Sequence, residues 1–274
     1  MRIGKKEFDT KQHCYIMGIL NVTPDSFSDG GRYTDMDRAL FHAEEMIREG
    51  ADILDIGGES TRPGYVQITE EEEIVRTIPI VEAVKERFDV PVSIDTYKSR
   101  VAEAALAAGA DLVNDIWGLK YDAKMAEVIA KSGAACCLMH NKKKAEYKDF
   151  ISDVLDDLRE SIRLAETAGI REDGICLDPG IGFGKTYEMN LEMMKYVSLM
   201  QELEYPILLG TSRKSMIGLT LDLPADQREE GTLVTTVMGV MSGCGFVRVH
   251  DVKANLRAIK MTEAILRVHG VEEM

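Results

Sequence analysis

The stretch EGADILDIG, residues 49–57, contains the end of a helical pattern and a strand-like run within nine residues. Gly50 suits the left-handed turn that commonly ends a helix, and the ILDIG run has the apolar character of a strand that is covered on both faces. The same Gly-Ala step precedes an apolar run in AGADLVND, residues 108–115, and in SGAACCLM, residues 132–139. This recurring junction predicts parallel strands joined by crossover helices.

Working outward, eight short apolar runs alternate with longer segments of helical period, at an average spacing of roughly 30 residues, as a strand-plus-helix unit requires. Eight units in 274 residues, without a linker-like segment, favour an α/β fold of the closed (β/α)8 TIM-barrel type. We expect one domain over residues 1–274, with a short N-terminal extension at about 1–13. An open parallel sheet is the alternative. The runs are CYIMGIL (14–20), ADILDIG (51–57), PVSID (91–95), DLVND (111–115), AACCLM (134–139), GICLD (174–178), PILLG (206–210) and GFVRV (245–249).

Composition and charge exclude several classes of protein. The formal net charge of -14 argues against a broad surface for nucleic acid or for an anionic membrane, so an anionic ligand needs a local basic site. The sequence shows no signal peptide and no membrane span, which predicts a cytoplasmic protein. The five cysteines lie in or beside apolar runs, and without a second Cys or His pair at zinc spacing they are interpreted as buried thiols.

Polar residues follow the apolar runs, at the barrel end where the loops after parallel strands converge. Asp95, Asn114 and Asp178, which we call the acceptor floor, are expected to accept hydrogen bonds from a flat polar heterocycle. Capping of the following turn is the alternative for any single Asp. The full set of run-ending residues is Asn21, Asp55, Asp95, Asn114, Asp115, His140, Asp178, Thr211, Arg248 and His250.

Cationic groups follow runs seven and eight, where barrels commonly hold phosphate. Lys214 lies in GTSRKSMIG, and Arg248 and His250 lie in RVH; this cluster in so acidic a chain favours an anion site over a solvated basic turn. Asn21, at the end of run one, could bind a hard cation such as Mg²⁺ that bridges the same phosphates. GIGFGKT is not a P-loop, because the required first glycine is replaced by Pro179.

Seven motifs, in order from about residue 14 to 266, together resemble the dihydropteroate synthase family, folate-pathway enzymes that join a pterin pyrophosphate to p-aminobenzoate. The resemblance implies a transferase that binds these two small molecules and Mg²⁺ and forms a homodimer. The motifs are GILNVTPDSFSDGG, DIGGESTRPG, VSIDTYKSRVAEAAL, VNDIWG, LDPGIGFGKT, GTSRKSMIG and RVHDV.

The resemblance also implies roles for individual residues. The acceptor floor would hold the pterin edge, with Lys214 on its ring acceptors and Arg248 beside its plane. Arg248 and His250 would bind the pyrophosphate, together with Asn21 and the Mg²⁺ that Asn21 holds. Thr61 would contact the pterin pyrophosphate; Arg62, Pro63, Phe183 and Ser215 would shape the p-aminobenzoate pocket.

The implied mechanism is dissociative displacement at the pterin methylene, with pyrophosphate leaving before the arylamine attacks. Asp29, favoured over Asp25, would stabilise the positive centre, although both Asp residues also suit the turns of PDSFSDGG. The polar loop after Asn21 and the GGESTRPG segment resemble two loops that close over the substrates.

Two places depart from the usual pattern of the family. These are Asn141 after MH, and EEGTLVTTVMG, which includes residues 231–239, in the expected dimer-forming region.

Two alternative functions share the acceptor floor: a methyltetrahydrofolate corrinoid methyltransferase and a non-catalytic pterin-binding paralogue. The methyltransferase would not need the closing loops or the cationic set, and the paralogue would be expected to have lost some of them.

Overall fold

The structure, a computed structural model, describes residues 1–22, 32–59 and 67–268, with the backbone alone for residues 32–35. All eight predicted runs are strands of one parallel sheet, and the fold class predicted from the sequence is confirmed. The strands are β1 (Arg2–Ile3), β2 (Lys6–Glu7), β3 (Tyr15–Asn21), β4 (Ile53–Gly57), β5 (Val92–Asp95), β6 (Leu112–Asp115), β7 (Ala135–Met139), β8 (Ile175–Asp178), β9 (Leu208–Leu209) and β10 (Phe246–Val249). The helices are α1 (Arg32–Glu49), α2 (Glu70–Arg87), α3 (Ser99–Ala107), α4 (Met125–Ser132), α5 (Phe150–Ala168), α6 (Tyr187–Lys195), α7 (Ser215–Leu221), α8 (Glu229–Met241) and α9 (Val252–Leu266).

The sheet curls into a barrel. Its order is β8-β7-β6-β5-β4-β3-β10-β9, and a parallel bridge between Leu177 and Ile207 joins the two ends. The amide of Leu177 also donates to the carbonyl oxygen of Pro206 at 2.9 Å. An open sheet would leave two unpaired edges, so this closure rules out the open-sheet alternative.

Each barrel strand is buried on both faces, which explains why the runs are continuously apolar. In β4, Leu54 and Ile56 belong to the core between the barrel and the helices, whereas Ile53 packs inside the barrel. Because strand side chains alternate, Asp55 also points inward, at the carboxyl end of the strand. The same alternation sets the inner face at every strand end.

The predicted helix-to-strand junctions are present. Gly50 and Gly133 have φ angles of 106° and 69°, and Gly133 is the left-handed C-cap of α4. A Cβ on Gly50 would lie 2.5 Å from Leu256 Cδ2, so a side chain there would be both strained and crowded. The N-terminus of α2 is capped by Thr69, whose hydroxyl accepts from the amide of Glu72 at 3.1 Å.

The β1–β2 hairpin lies at the amino-terminal end of the barrel, opposite the strand ends that carry polar residues. Ile3 and Phe8 are buried against inward-facing residues such as Met17 and Phe246. Phe8 and Phe246 meet edge to face with centroids 5.6 Å apart. The hairpin therefore plugs the bottom of the barrel. Among the described helices, none is both long and apolar enough to cross a bilayer.

Candidate active site

The site lies at the carboxyl ends of the barrel strands, where alternation turns Asp55, Asp95, Asn114, Asp178 and Arg248 inward. These residues come from five strands, β4, β5, β6, β8 and β10. Neighbouring strands are in register, with Gly57 opposite Asp95 and Asp95 opposite Asn114. The barrel therefore brings together the acceptor floor that the sequence predicted.

Asp55 is the centre of this network and is fully buried. Its carboxylate accepts hydrogen bonds from Ser93 Oγ at 2.5 Å, from Asn114 Nδ2 at 3.2 Å and from Arg248 Nε at 2.5 Å. A buried carboxylate needs such donors, and here they come from three other strands. Asp55 thereby fixes the orientation of Asn114 and of Arg248.

Asp95 uses only one of its carboxylate oxygens within the described residues. Its Oδ2 accepts from Arg248 Nη2 at 2.6 Å, while Oδ1 is buried without a hydrogen-bond partner. Burial raises the pKa of Asp95 to about 7, although the Arg248 guanidinium opposes the shift. An unpartnered buried acceptor is costly in a folded protein, so Oδ1 is the clearest position for a ligand N–H group.

Asp178 and Lys214 occupy the next part of the site. Asp178 Oδ1 accepts from the amide of Gly180 at 2.6 Å, and burial raises the Asp178 pKa against the opposing charge of Lys214. The Lys214 ammonium donates to the carbonyl oxygen of Ile181 and lies 4.8 Å from the centroid of the Phe183 ring. Burial lowers the pKa of Lys214 to about 8, so this side chain loses its proton and its positive charge in mildly alkaline solution.

The expected anion end lies after β9 and β10. His250 Nδ1 is 2.9 Å from Ser212 Oγ, and the same hydroxyl accepts from the His250 amide at 3.2 Å. Asn21 is at the end of β3, and a Cβ built on Gly57 would lie 3.7 Å from Asn21 Oδ1 and 3.7 Å from Asp95 Oδ2. The Asn21 carboxamide therefore lies near the acceptor floor.

The remaining residues of the basic TSRKS segment have different surroundings. Arg213 donates to the two carboxylate oxygens of Asp251 at 3.1 and 2.6 Å, which ties the segment after β9 to the start of α9. Ser215 is exposed at the first position of α7, next to Lys214. Arg213 is thus a structural cation, and Lys214 is the one that faces the floor.

Asp115, His140 and Thr211, which end strand runs, face away from the barrel interior, and Thr211 Oγ1 lies 2.7 Å from Thr235 Oγ1 of α8. Asp115 accepts from the amides of Trp117 and Leu119 at 2.9 and 2.7 Å, as the turn-capping interpretation requires. Burial raises its pKa to about 6. His140 is fully buried beneath the loop after β8.

The sequence did not reveal three supporting residues. Asp55 was visible only as a strand-ending residue, and Ser93 could have been found from its position two residues before Asp95 on the same strand face. No sequence signal distinguished Ser212 from its neighbours.

Several predicted residues cannot be placed. Asp25 and Asp29, and Thr61, Arg62 and Pro63, lie outside the described residues.

All five cysteines are free and buried, in agreement with the sequence. The described ranges contain no group of three or more His, Cys, Asp or Glu side chains that could hold a metal ion.

Comparisons with known proteins agree with this geometry. The sequence profile of the family described as "Pterin binding enzyme" matches residues 17–250. Dihydropteroate synthase from Clostridium beijerinckii is 61% identical over 97% of this chain and 100% of its own length.

Two solved structures extend the likeness to the fold. The dihydropteroate synthase from Clostridium difficile, solved in the presence of pteroic acid, superposes with a TM-score of 0.94 at 50% identity over 96% of this chain and 100% of that one. The Xanthomonas albilineans enzyme, with 4-aminobenzoic acid, gives a TM-score of 0.90 at 40% identity over 94% of each chain. The chain therefore belongs to the dihydropteroate synthases, transferases of folate biosynthesis within the pterin-binding enzyme family.

Proposed function

We propose that this chain condenses 6-hydroxymethyl-7,8-dihydropterin pyrophosphate with p-aminobenzoate, giving 7,8-dihydropteroate and pyrophosphate. The observation that carries the proposal is the buried Oδ1 of Asp95, which has no hydrogen-bond partner among the described residues and lies on the same inner face as Asn114 and Asp178. These groups offer acceptors to the N–H edge of a flat heterocycle, and a pterin has such an edge. No observation favours the methyltransferase or the binding-only alternative.

The pterin would lie on the acceptor floor. Asn114 Nδ2 donates a hydrogen bond to Asp55, so the amide oxygen of Asn114 would accept a hydrogen bond from the ligand. Lys214, beside Asp178, would donate to the ring acceptors, and Arg248 would flank the ring plane. The bonds of Arg248 to Asp55 and Asp95 support that placement, because they hold the guanidinium at the edge of the floor.

The pyrophosphate would lie towards His250, Arg248 and Asn21. When the bond between the pterin methylene carbon and the pyrophosphate oxygen breaks, that oxygen takes the electron pair, and positive groups nearby stabilise it. The arylamine nitrogen then forms a bond to the methylene carbon and loses a proton to the solvent. Ser212 supports this arrangement because it orients the His250 ring. We assign to Asp29 the stabilisation of the cationic methylene, as the family resemblance implies.

Mg²⁺ is the metal that we propose for this reaction, with Asn21 as its protein ligand. Mg²⁺ keeps several waters and is commonly bound by one or two protein oxygens together with substrate phosphates. One carboxamide oxygen near the floor fits such an ion, and the described residues hold no carboxylate cluster that would bind it alone. When bound, the ion would neutralise charge on the leaving pyrophosphate.

The second substrate would lie between the Phe183 ring and the start of α7, at Ser215. Thr61 would contact the pterin pyrophosphate, and Arg62 and Pro63 would complete the arylamine pocket. The structure of the Xanthomonas albilineans relative with 4-aminobenzoic acid supports a site for this class of ligand in the family.

We also propose that the protein is a cytoplasmic homodimer. Five buried free thiols suit a reducing compartment. Neighbouring helices α8 and α9 expose large apolar side chains, as an interface between two copies would require: Val234, Met238, Met241, Met261 and Ile265. A monomeric mass for the purified protein in solution would contradict the dimer.

The function is tested by measuring pyrophosphate release from the dihydropterin pyrophosphate with Mg²⁺, with and without p-aminobenzoate, while the joined product is followed. We expect release to be coupled to p-aminobenzoate and to yield dihydropteroate in equal amount. Tight pterin binding without release or product would contradict the proposal and favour a methyltransferase or a binding protein.

A further inference from the structure

The segment PGIGFGKT, residues 179–186, joins β8 to α6 and starts directly after Asp178. The proposed function uses two groups in this segment, the carbonyl oxygen of Ile181 and the ring of Phe183. It assigns nothing to Lys185, a partly buried lysine whose pKa is lowered by burial to about 7. The sequence excluded a P-loop role for this lysine, so its conformation needs another explanation.

The Lys185 ammonium has one acceptor for each of its three N–H groups. It lies 2.9 Å from the carbonyl oxygen of Gly180, 3.1 Å from that of Phe183 and 2.8 Å from Nδ1 of His140. Burial and the nearby Lys185 charge lower the pKa of His140 to about 2, so its imidazole is neutral and Nδ1 is free to accept from the ammonium. Lys185 is therefore fully coordinated by the protein.

These acceptors join two parts of the molecule. Gly180 and Phe183 are the ends of one tight turn, in which the Phe183 amide donates to the Gly180 carbonyl at 3.1 Å. His140 directly follows β7, on the neighbouring strand. Gly180 has a φ of 69°, and a Cβ there would lie 1.9 Å from the carbonyl oxygen of His140. The turn thus lies directly against the end of β7, and Lys185 fastens it there.

The same turn positions Lys214. Ile181, inside the turn, accepts from the Lys214 ammonium, and the Phe183 ring lies 4.8 Å from that ammonium. A Cβ on Gly182 would lie 3.3 Å from Lys214 Cδ, so the backbone of the turn is also close to the stem of this side chain. A displaced turn would therefore displace both Lys214 and Phe183.

We propose that Lys185 is a positioning residue: its ammonium fixes the turn 180–183, so that Ile181 and Phe183 hold Lys214 beside Asp178 and present the Phe183 ring to the arylamine. The inference rests on the proposed function. It assigns to Lys185 no contact with either substrate. Supporting residues of this kind commonly affect activity because small displacements of binding groups are costly.

The principal test is K185M, which keeps an unbranched apolar stem and removes the ammonium. Its matched control is K85M. Lys85 is also a partly buried lysine, and it donates to a carboxylate oxygen of Asp111 at 2.7 Å, just before β6 and therefore at the end of the barrel opposite residues 180–183. For both variants we would measure thermal unfolding, kcat and the KM of each substrate.

We expect K185M to raise the KM of p-aminobenzoate by at least about tenfold, and that of the pterin substrate by less, while K85M leaves both near wild type. A merely structural role would lower thermal stability in both variants without this difference in KM. Equal KM values for K185M and K85M, at comparable stability, would overturn the proposal.

His140 provides a second pair of variants in case K185M does not fold. H140L removes one acceptor of Lys185, whereas H140N replaces Nδ1 with an amide oxygen at a similar position. We expect H140L to raise the KM of p-aminobenzoate and H140N to restore it towards the wild-type value. Equal KM values in these two variants would overturn the assignment.

A readout that does not need activity comes from Trp117, the single tryptophan of the chain, because Trp117 and Phe183 both pack against the cluster of Tyr97, Ile116 and Met139. K185M should shift the Trp117 emission because the Phe183 ring moves, and K85M should not. Unchanged emission in K185M would contradict the proposal. Absence of product from the wild-type protein would instead overturn the proposed function, while the emission would still decide the role of Lys185.

Discussion

Nη2 of Arg248 lies 2.6 Å from Oδ2 of Asp95, although 153 residues separate them in the sequence. The guanidinium reaches across the barrel from β10 to β5 and also bonds Asp55 on β4, between them. One cation thus serves two buried carboxylates, and Asp95 retains an unpartnered oxygen within the described residues. Binding and stability therefore depend on the same few contacts.

D95N should weaken the binding of the dihydropterin pyrophosphate about 10- to 100-fold, because a charged acceptor is replaced by a group that also carries donors. D178N should have an effect in the same direction. Calorimetric titration without p-aminobenzoate measures both. D115N is the matched control, since among the described residues the Asp115 side chain accepts only from backbone amides of its own loop. Wild-type affinity in both D95N and D178N would refute the acceptor floor.

D55N should lower the free energy of unfolding by about 3 kcal/mol, since it removes a buried charge that Arg248 needs. S93A should lower the free energy of unfolding by only about 1 kcal/mol, because it removes a single hydrogen bond to the same carboxylate. Urea unfolding of the two variants provides the comparison. If D55N were as stable as S93A, Asp55 would not be the centre of the network.

F183L should raise the KM of p-aminobenzoate about tenfold through lost apolar contact, with a smaller effect on pterin binding. F150L, at the first position of α5, is a suitable control because Phe150 packs against the core and Tyr147. Steady-state kinetics with each substrate varied in turn would show the difference. A larger loss for the pterin substrate than for p-aminobenzoate would mean that the second site is misplaced.

His140 should contribute a loss of stability as the pH falls below 6.5. Burial lowers its pKa from 6.5 to about 2, so between these values the unfolded chain binds a proton that the folded chain does not. Stability from this group is therefore fully present above pH 6.5 and is lost as the pH falls, by about 2 kcal/mol between pH 7 and pH 5.

Urea unfolding of the wild type and H140N at pH 7 and pH 5 isolates this contribution. Asp95 has a raised pKa of about 7 and acts in the opposite direction, because its ionisation as the pH rises is disfavoured in the fold. Asp95 is present in both proteins, so the difference between their free energies of unfolding isolates the contribution of His140. A stability difference that is the same at both pH values would contradict the prediction.

The sequence by itself determined the strands and most of the candidate floor. Strands buried on both faces must be apolar throughout, so the eight runs stood out, and polar residues at their ends marked the open end of the barrel. Asp95, Asn114 and Asp178 were found in this way, and the family motifs supplied Lys214, Arg248 and His250 with proposed roles. Apolar runs, the polar residues that end them and the family motifs are all patterns of neighbouring residues, so they can be identified in the sequence.

Tertiary structure alone decided what the strand-ending residues contact. Asn114 and Asp115 are adjacent in the sequence, yet one faces the barrel interior and the other caps a loop, because strand side chains alternate and packing sets which face is inside. The partners of Asp55, and the His140 partner of Lys185, come from other strands and from the residue that follows β7. Packing of the strands into the barrel creates these contacts, so no pattern of neighbouring residues encodes them.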